Sequence, residues 1–302
     1  MADHKYIVVG LGELLWDLLP AGKQLGGAPA NFAYITNLLG DQGIPASRIG
    51  NDPLGAEAIH KLTQLGLTAQ FVQQDFAHPT GTVNVKIDDA GQPCFEILQP
   101  VAWDFLEWAE EWRLLAGQAD AVCFGSLAQR SPQSQSTIRS FLMATRPEAV
   151  RIFDVNLRQS FYSRQVVAES MKLATIVKLN HEELPKIMHL LGFDNSDEQS
   201  NARCLLAAYR LKLICVTRGD AGSLLITADQ LSDHPGVRVK VADTIGAGDA
   251  FTAAMVHGYL RDIPLTQINE MGNRVGAWVA SQSGATPSPK PPGLAQTLTE
   301  ID

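Results

Sequence analysis

The stretch KVADTIGAGDAFTAAMVHGYL (Lys240–Leu260) places Gly246, Ala247 and Gly248 directly before Asp249, and an apolar helical pattern follows. Glycine lets successive backbone N–H groups converge with no side chain in the way. At a helix N-terminus those groups lack intrahelical partners, and the helix dipole adds positive potential. The junction therefore reads as an anion hole with a carboxylate beside it. A plainer reading stands next to it: a tight turn with Asp249 as the helix N-cap, a position aspartate favours. The choice depends on the rest of the chain.

Outward from this junction the chain alternates strand and helix. YIVVGLG (6–12), ADAVCFG (119–125), AVRIFDVN (149–156), ATIVKLN (174–180) and KLICVTRG (212–219) are short apolar runs ending in polar residues or glycine, the mark of buried strands. NFAYITNLLG (31–40) is helical and closed by Gly40. DPLGAEAIHKLTQLG (52–66) has Asp52 as N-cap, Pro53 at the first helical position and Gly66 past the end. This alternation predicts a doubly wound, mostly parallel α/β sheet with helices on both faces. Ligands bind such sheets beyond the carboxyl ends of the strands, which sets Asn156, Asn180 and Gly219 along one rim.

Two stretches break the rhythm. GELLWDLLPAGKQLGG (12–27) and TGTVNVKIDDAGQPCFEIL (80–98) are strand-like, and DDAGQ in the second is a turn between alternating segments, hence a hairpin. Together they predict a small sheet standing off the main one. The proline-rich PSPKPPG (287–293) reads as an extended surface strap.

The 302 residues suffice for one large domain, or one plus a small one. A net charge of -8 disfavours a surface built for nucleic acid or anionic lipid, though not a local basic pocket for phosphates. Cys94, Cys123, Cys204 and Cys215 form no CxxC pair and read as free thiols in a reducing compartment. The N-terminus lacks a signal-peptide core, and no apolar run approaches the ~18 residues of a membrane span, so a soluble cytoplasmic protein is expected. GLGELL (10–15) imitates half of a dinucleotide fingerprint, but Leu15 stands where the third glycine belongs. No GxxxxGK[ST] phosphate loop occurs.

Five motifs follow in order: GGAPAN (26–31), DVNLR (154–158), NHEE (180–183), TRG (217–219) and DTIGAGD (243–249). This set resembles the ribokinase-like, or PfkB-type, sugar kinases. GGAPAN is similar to the form common among their fructokinases, and DVNLR to a segment of the fructokinase and ketodeoxygluconate kinase branches. The resemblance covers residues 12–288. It implies one catalytic unit over 1–302, with a small β-sheet lid from about 12–30 and 78–100 on an α/β body. It also implies ATP-dependent phosphorylation of a sugar hydroxyl.

The site residues are carried over from that resemblance. Asp249 is implied to be the base that takes the hydroxyl proton, while Gly246, Ala247 and Gly248 give N–H groups to the transferring phosphate. Beside a helix N-terminus that carboxylate is expected to be ionised and a weak base. Asn180 and Glu183, one helical turn apart, are implied to hold Mg²⁺ largely through waters. The same pair also reads as a helix start, with Asn180 capping and Glu183 completing a capping-box-like pair. Thr217, Gly219 and Asn273 fall on the ATP side, and Arg218 is either a charge clamp or half of a structural ion pair.

Asp17, Gly27 and Asn31 form the sugar side. A carboxylate and a carboxamide each bridge neighbouring hydroxyls, and glycine lets the ring lie near the backbone. Asp17 also reads as a turn acid and Asn31 as a helix cap. Asn156 and Arg158 serve sugar or phosphates. Asp243 and Ser288 resemble parts of a K⁺ site that backbone carbonyls near Ile245, Val279, Gln282 and Gly284 would complete.

Fructose, phosphorylated on its 6-hydroxyl, is the leading expectation. Ketodeoxygluconate kinase, ribokinase and nucleoside kinase are the alternatives. A non-catalytic sugar or nucleotide sensor on the same fold would be marked by loss of the base or the anion hole, and both are present. A homodimer through the lid is implied. VAWDFLEWAEEW (101–112) is assigned either to the body or to a lid or partner contact, and Trp16 and Phe95 to the sugar pocket.

Overall fold

Side-chain alternation along the strands decides how the chain assembles. The computed structural model describes residues 4–19, 22–87, 93–289 and 294, with the side chains of 85–95 excepted. In chain order the strands are β1 (Ile7–Leu11), β2 (Leu15–Leu19), β3 (Gly22–Gly26), β4 (Gln42–Gly50), β5 (Val72–Asp75), β6 (Gly81–Ile87), β7 (Pro93–Ile97), β8 (Ala121–Phe124), β9 (Val150–Asp154), β10 (Ile176–Asn180), β11 (Leu213–Thr217), β12 (Ser223–Ile226) and β13 (Leu231–His234). The α-helices are α1 (Ala28–Leu38), α2 (Pro53–Gln64), α3 (Glu110–Gln118), α4 (Pro132–Ala144), α5 (Arg164–Leu173), α6 (Glu183–Leu191), α7 (Glu198–Tyr209), α8 (Ala247–Tyr259) and α9 (Leu265–Ala280).

Nine strands form the main sheet in the order β13-β12-β11-β10-β9-β8-β1-β4-β5. Every neighbouring pair from β11 to β5 is parallel, and β12 and β13 close one edge antiparallel. Successive residues serve opposite layers. Val8, Ala121, Ile152, Ile176 and Leu213 pack with Phe32 of α1, Leu62 of α2, Phe251 of α8 and Val275 of α9. Val9, Val122, Phe153, Val177 and Ile214 pack with Leu115, Phe141, Met171, Ile187 and Leu205 of α3 to α7. This is the doubly wound α/β fold predicted, and all the parallel strands end on one rim.

The other four strands make a separate small sheet, β3-β2-β6-β7, in which β6 and β7 are the antiparallel hairpin expected over 80–98. Its turn at 88–92, the tail residues 290–293 and the side chains of Cys94 and Phe95 lie outside the described residues. Pro287, expected on a surface strap, is buried, and its carbonyl accepts from the Tyr34 hydroxyl at 2.8 Å. Trp16, expected to line the sugar pocket, is a core residue whose indole N–H donates to the Leu54 carbonyl at 2.9 Å. The aromatic segment 101–112 belongs to the body: Val101, Trp103, Leu106 and Trp112 are buried. Among the described residues no helix is long and apolar enough to cross a membrane.

Asp52 fastens α2 to the entry of β6. Its carboxylate accepts from the Gly55 amide at 2.8 Å, capping the helix, and from the Thr80 amide and hydroxyl at 2.7 Å each. Burial works to raise its pKa, but these bonds outweigh it and hold the pKa below the usual aspartate value. The stabilisation is therefore present above the unfolded-state pKa and is lost as pH falls through the lower folded value. Asp52→Ala should cost about 2 kcal/mol in urea unfolding at pH 7, with the deficit shrinking toward zero in acid.

Candidate active site

At the rim, the carboxyl ends of β8 and β9 meet the first turns of α1 and α8 around one cavity, lined by Ala28, Cys123, Gly125, Asp154, Asn156 and Asp249. Helix α8 begins at Ala247, and its N-cap is Gly246, not Asp249. Gly246 sits at φ 78, and a Cβ there would lie 2.4 Å from that of Ala285, so both conformation and space require glycine. The Ala247 amide meets the Thr244 carbonyl at 3.3 Å, and the first helical bond runs from the Ala250 amide to the Gly246 carbonyl at 2.9 Å. Among the described residues no acceptor takes the Gly248 or Asp249 amides. Of the amides expected to form an anion hole, that of Gly248 is unengaged and that of Ala247 partly used, and the Asp249 amide beside them is unengaged as well.

The Asp249 carboxylate is half-buried at the cavity and accepts from Asn31 Nδ2 at 2.9 Å, across 218 residues of sequence. Asn31 is not a helix cap: the N-cap of α1 is Gly27, at φ 110, where a Cβ would lie 2.5 Å from the Glu13 carbonyl oxygen. The other Asn31 atom, Oδ1, is buried with no partner. A buried acceptor without a donor costs stability unless a ligand supplies one.

Burial raises the Asp249 pKa to about 6, and the Asp154 carboxylate pushes the same way, while the Asn31 bond, Lys178 and Arg158 pull it down. Desolvation is the largest influence, so Asp249 binds its proton more tightly than a free aspartate does. Asp249 remains mostly ionised at pH 7. Burial likewise raises Asp17 to about 6, with Arg158 opposing and Asp243 adding to it. Asp17 packs over Gly26, where a Cβ would lie 2.4 Å from Asp17 Oδ2. Glu13, which the motifs did not single out, is raised to about 7, chiefly by burial; Asp249 pushes it up while Arg158 and the Ala28 amide pull it down. Arg158 is exposed, and its guanidinium influences Glu13, Asp17 and Asp249 alike. Asn156 holds a left-handed backbone at φ 40 beside it.

Asn180 and Glu183 realise the helix-start reading. Asn180 Oδ1 accepts from the Glu182 and Glu183 amides at 2.9 and 2.8 Å. The Glu183 carboxylate accepts from the Leu157 amide at 2.7 Å and the Asn180 amide at 2.8 Å, tying the ends of β9 and β10 together. Each Glu183 oxygen has one backbone bond and a remaining lone pair, a donor set that fits Mg²⁺ held through water. The Asn180 oxygen has both lone pairs engaged, which leaves Nδ2, a donor, for any ligand.

Thr217 and Gly219, expected on the nucleotide side, lie at the end of β11 along the same rim. Thr217 ends β11, and its carbonyl accepts from the His181 amide at 2.9 Å. Gly219 is exposed at φ 61. Arg218 is a structural ion-pair residue, bonded to Glu198 at 2.6 Å and Asp233 at 2.7 Å. Asn273 is buried and donates to Ser223 Oγ at 2.8 Å within a polar cluster that includes Asn269. Asp243 accepts from the Ile245 and Gly284 amides at 3.0 and 3.2 Å, while Ser288 interacts with the Tyr34 hydroxyl.

Two further buried groups escaped the sequence reading. Lys178 Nζ lies 3.1 Å from each Asp154 oxygen, and Thr252 of α8 donates to Asp154 Oδ2 at 3.0 Å. The signal was a lysine in the middle of an apolar strand run.

A half-buried carboxylate beside free helix-end amides, at the rim of a parallel sheet, suits the transfer of an anionic group. The sequence profile of the pfkB family carbohydrate kinases matches residues 20–291, and the chain belongs to that family. It is 34% identical over 261 residues to the fructokinase of Klebsiella pneumoniae, covering 82% of each chain. The crystal structure of the sugar kinase PH1459 from Pyrococcus horikoshii superposes with a TM-score of 0.84 at 28% identity, covering 98% of this chain and 99% of that one. The Vibrio cholerae fructokinase with fructose, ADP and calcium bound superposes at 0.82 and 26% identity, covering 99% of each. A double-mutant form of that fructokinase holds fructose, ADP and potassium, at 25% identity and TM-score 0.82, with full coverage of both chains.

Because the folded state holds the Asp249 proton to a higher pH than the unfolded chain, this group's contribution to stability falls as pH rises from the unfolded value of 3.8 to about 6. Asp249→Asn should therefore be more stable than the native chain by about 2 kcal/mol in urea unfolding at pH 8, and the gap should nearly vanish by about pH 4.

Proposed function

We propose that this carbohydrate kinase transfers the γ-phosphate of ATP to the 6-hydroxyl of fructose, giving fructose 6-phosphate and ADP. The observation that carries the reading is the Asn31–Asp249 hydrogen bond at 2.9 Å, with Asn31 Oδ1 buried and unpartnered beside it. A residue of the sugar-side motif touches the base, and its unused acceptor awaits a hydroxyl donor. The fructokinases among the relatives support the same substrate.

In this reading Asp17, Gly27, Asn31, Asn156 and Arg158 position the sugar. Asp249 takes the hydroxyl proton as the oxygen receives the phosphoryl group, and ADP leaves. The Gly246–Gly248 turn and the start of α8 present amides to the transferring phosphate, where preorganised donors act most strongly. Thr217, Gly219 and Asn273 serve the nucleotide. Mg²⁺, when bound, neutralises phosphate charge, and Glu183 would hold it through water with Asn180 Nδ2 turned to a ligand oxygen. Asp243 and Ser288 would serve K⁺, an ion that the related Vibrio fructokinase holds. The chain acts as one catalytic unit in the cytoplasm, with the small sheet as a lid and as the surface of a homodimer.

A neutral sugar suits the charge of the site. Glu13, Asp17 and Asp249 surround it, Lys178 is paired to Asp154, and Arg158 is the cation left to face them. A sugar acid would add to the negative charge, which disfavours ketodeoxygluconate.

A panel of sugars assayed for ADP release at fixed ATP and Mg²⁺, with and without K⁺, should give the highest kcat/KM with fructose. Measurable ATP binding with no turnover of any sugar would establish the sensor instead. Asp249→Ala should lose at least about 10³-fold in kcat while ATP affinity is largely kept. Since the base must be ionised, kcat/KM should fall as pH drops through about 6.

A further inference from the structure

We propose that Lys178 and Asp154 form a buried positioning pair that anchors the first turn of α8 and sets the charge felt by Asp249. The proposal rests on Asp249 being the base. Neither residue belongs to the sugar, nucleotide or metal sets above, and neither is on the surface: both are under a tenth exposed.

The geometry ties the pair to the helix in two ways. A Cβ on Gly248 would lie 3.0 Å from Lys178 Nζ, so the ammonium rests against the glycine whose amide is left unengaged. Thr252 Oγ1 donates to Asp154 Oδ2 at 3.0 Å and stands 2.9 Å from the Gly248 carbonyl. The second glycine of Gly-Ala-Gly therefore makes room for a cation behind the anion hole as well as for a phosphate in front of it. An ammonium held against a helix N-terminus strengthens the positive potential there.

The pair also surrounds Asp249 with opposed charges. Asp154 from the end of β9 raises its pKa, and Lys178 from β10 lowers it. The other groups that face Asp249 are Arg158 from the loop after β9, Glu13 from the β1–β2 loop and Cys123 on β8. Lys178 Nζ lies 3.1 Å from both Asp154 oxygens, so the two charges of the pair are matched within the sheet. A packing role would make either substitution disturb Asp249 in the same sense. An electrostatic role requires opposite senses.

The test follows the Asp249 carboxyl by ¹³C NMR in the ligand-free, aspartate-labelled protein, its resonance assigned by loss in Asp249→Asn. Asp154→Asn should lower the Asp249 midpoint by about one pH unit, and Lys178→Met should raise it by a similar amount. The double variant should return to within about half a unit of the native value. In turnover, Lys178→Met should move the acid limb of kcat/KM to higher pH and lower kcat about tenfold with little change in KM for ATP. Shifts of the same sign in both single variants, or midpoints that do not move, would overturn the proposal. Should Lys178→Met fail to fold with Asp154 left unpaired, Asp154→Asn and the double variant still decide. A native protein that turns over no sugar would defeat the functional reading, while the NMR comparison would continue to test the pair.

Discussion

Desolvation of a cluster of carboxylates is the constraint on which the rest of the structure depends. Glu13 and Asp154 are buried and Asp249 is half-buried at one rim of the sheet, where isolated charges would be expensive to keep. They persist because the fold brings countering groups to them: the Asn31 amide, the Lys178 ammonium, the Thr252 hydroxyl, and Arg158 at the surface. The compensation is incomplete at Glu13 and Asp249, where desolvation leaves the proton affinity raised. That is the property a proton acceptor needs at neutral pH, and a hydrophobic or fully neutralised rim would lack it.

Topology makes the cluster achievable. Parallel strands end on one side, so β1, β8, β9 and β10 deliver Glu13, Cys123, Asp154 and Asn180 to neighbouring positions from widely separated parts of the chain. Helices α1 and α8 cover the same face of that sheet and aim their N-termini at the same rim. Both start on glycines with positive φ, Gly27 and Gly246, which turn the chain sharply enough for each helix to begin at the cavity edge. The GGAPAN and DTIGAGD motifs meet for this reason alone; nothing in their local sequence pairs them.

The local features were legible in the sequence, and the tertiary ones were not. Strand positions followed from apolar runs, the α2 boundaries from Asp52, Pro53 and Gly66, and the small sheet from two stretches that broke the helix–strand rhythm. The motif resemblance led to Asp249, Asn31 and Arg158, which the fold places together. It did not lead to Glu13 or Lys178 and gave Asp154, the first residue of DVNLR, no role; the significance of all three comes from burial and from neighbours on other strands. The raised proton affinity of Asp249 was illegible for the same reason: a helix N-terminus is a sequence feature, but desolvation by neighbours from other strands is not. Trp16 illustrates the converse, since an aromatic residue beside a sugar motif turned out to fill the core.

The small sheet is joined to the reactive rim by packing as well as by chain connection. Arg130, just after β8, pairs with Asp104 at 2.7 Å and donates to the Leu98 carbonyl at 2.7 Å, where the chain leaves β7. Its guanidinium stacks over Trp103 at 3.9 Å and over Phe161 at 4.7 Å. Phe161 belongs to the loop that follows β9 and carries Asn156 and Arg158. One buried arginine therefore links the exit of the small sheet to the loop that supplies the site's exposed cation. On the opposite side, Asp52 holds the entry of β6 through Thr80. Both ends of the β6–β7 hairpin are thus fastened to the body by charge-assisted bonds, one of them through an arginine that packs on the same loop as Arg158.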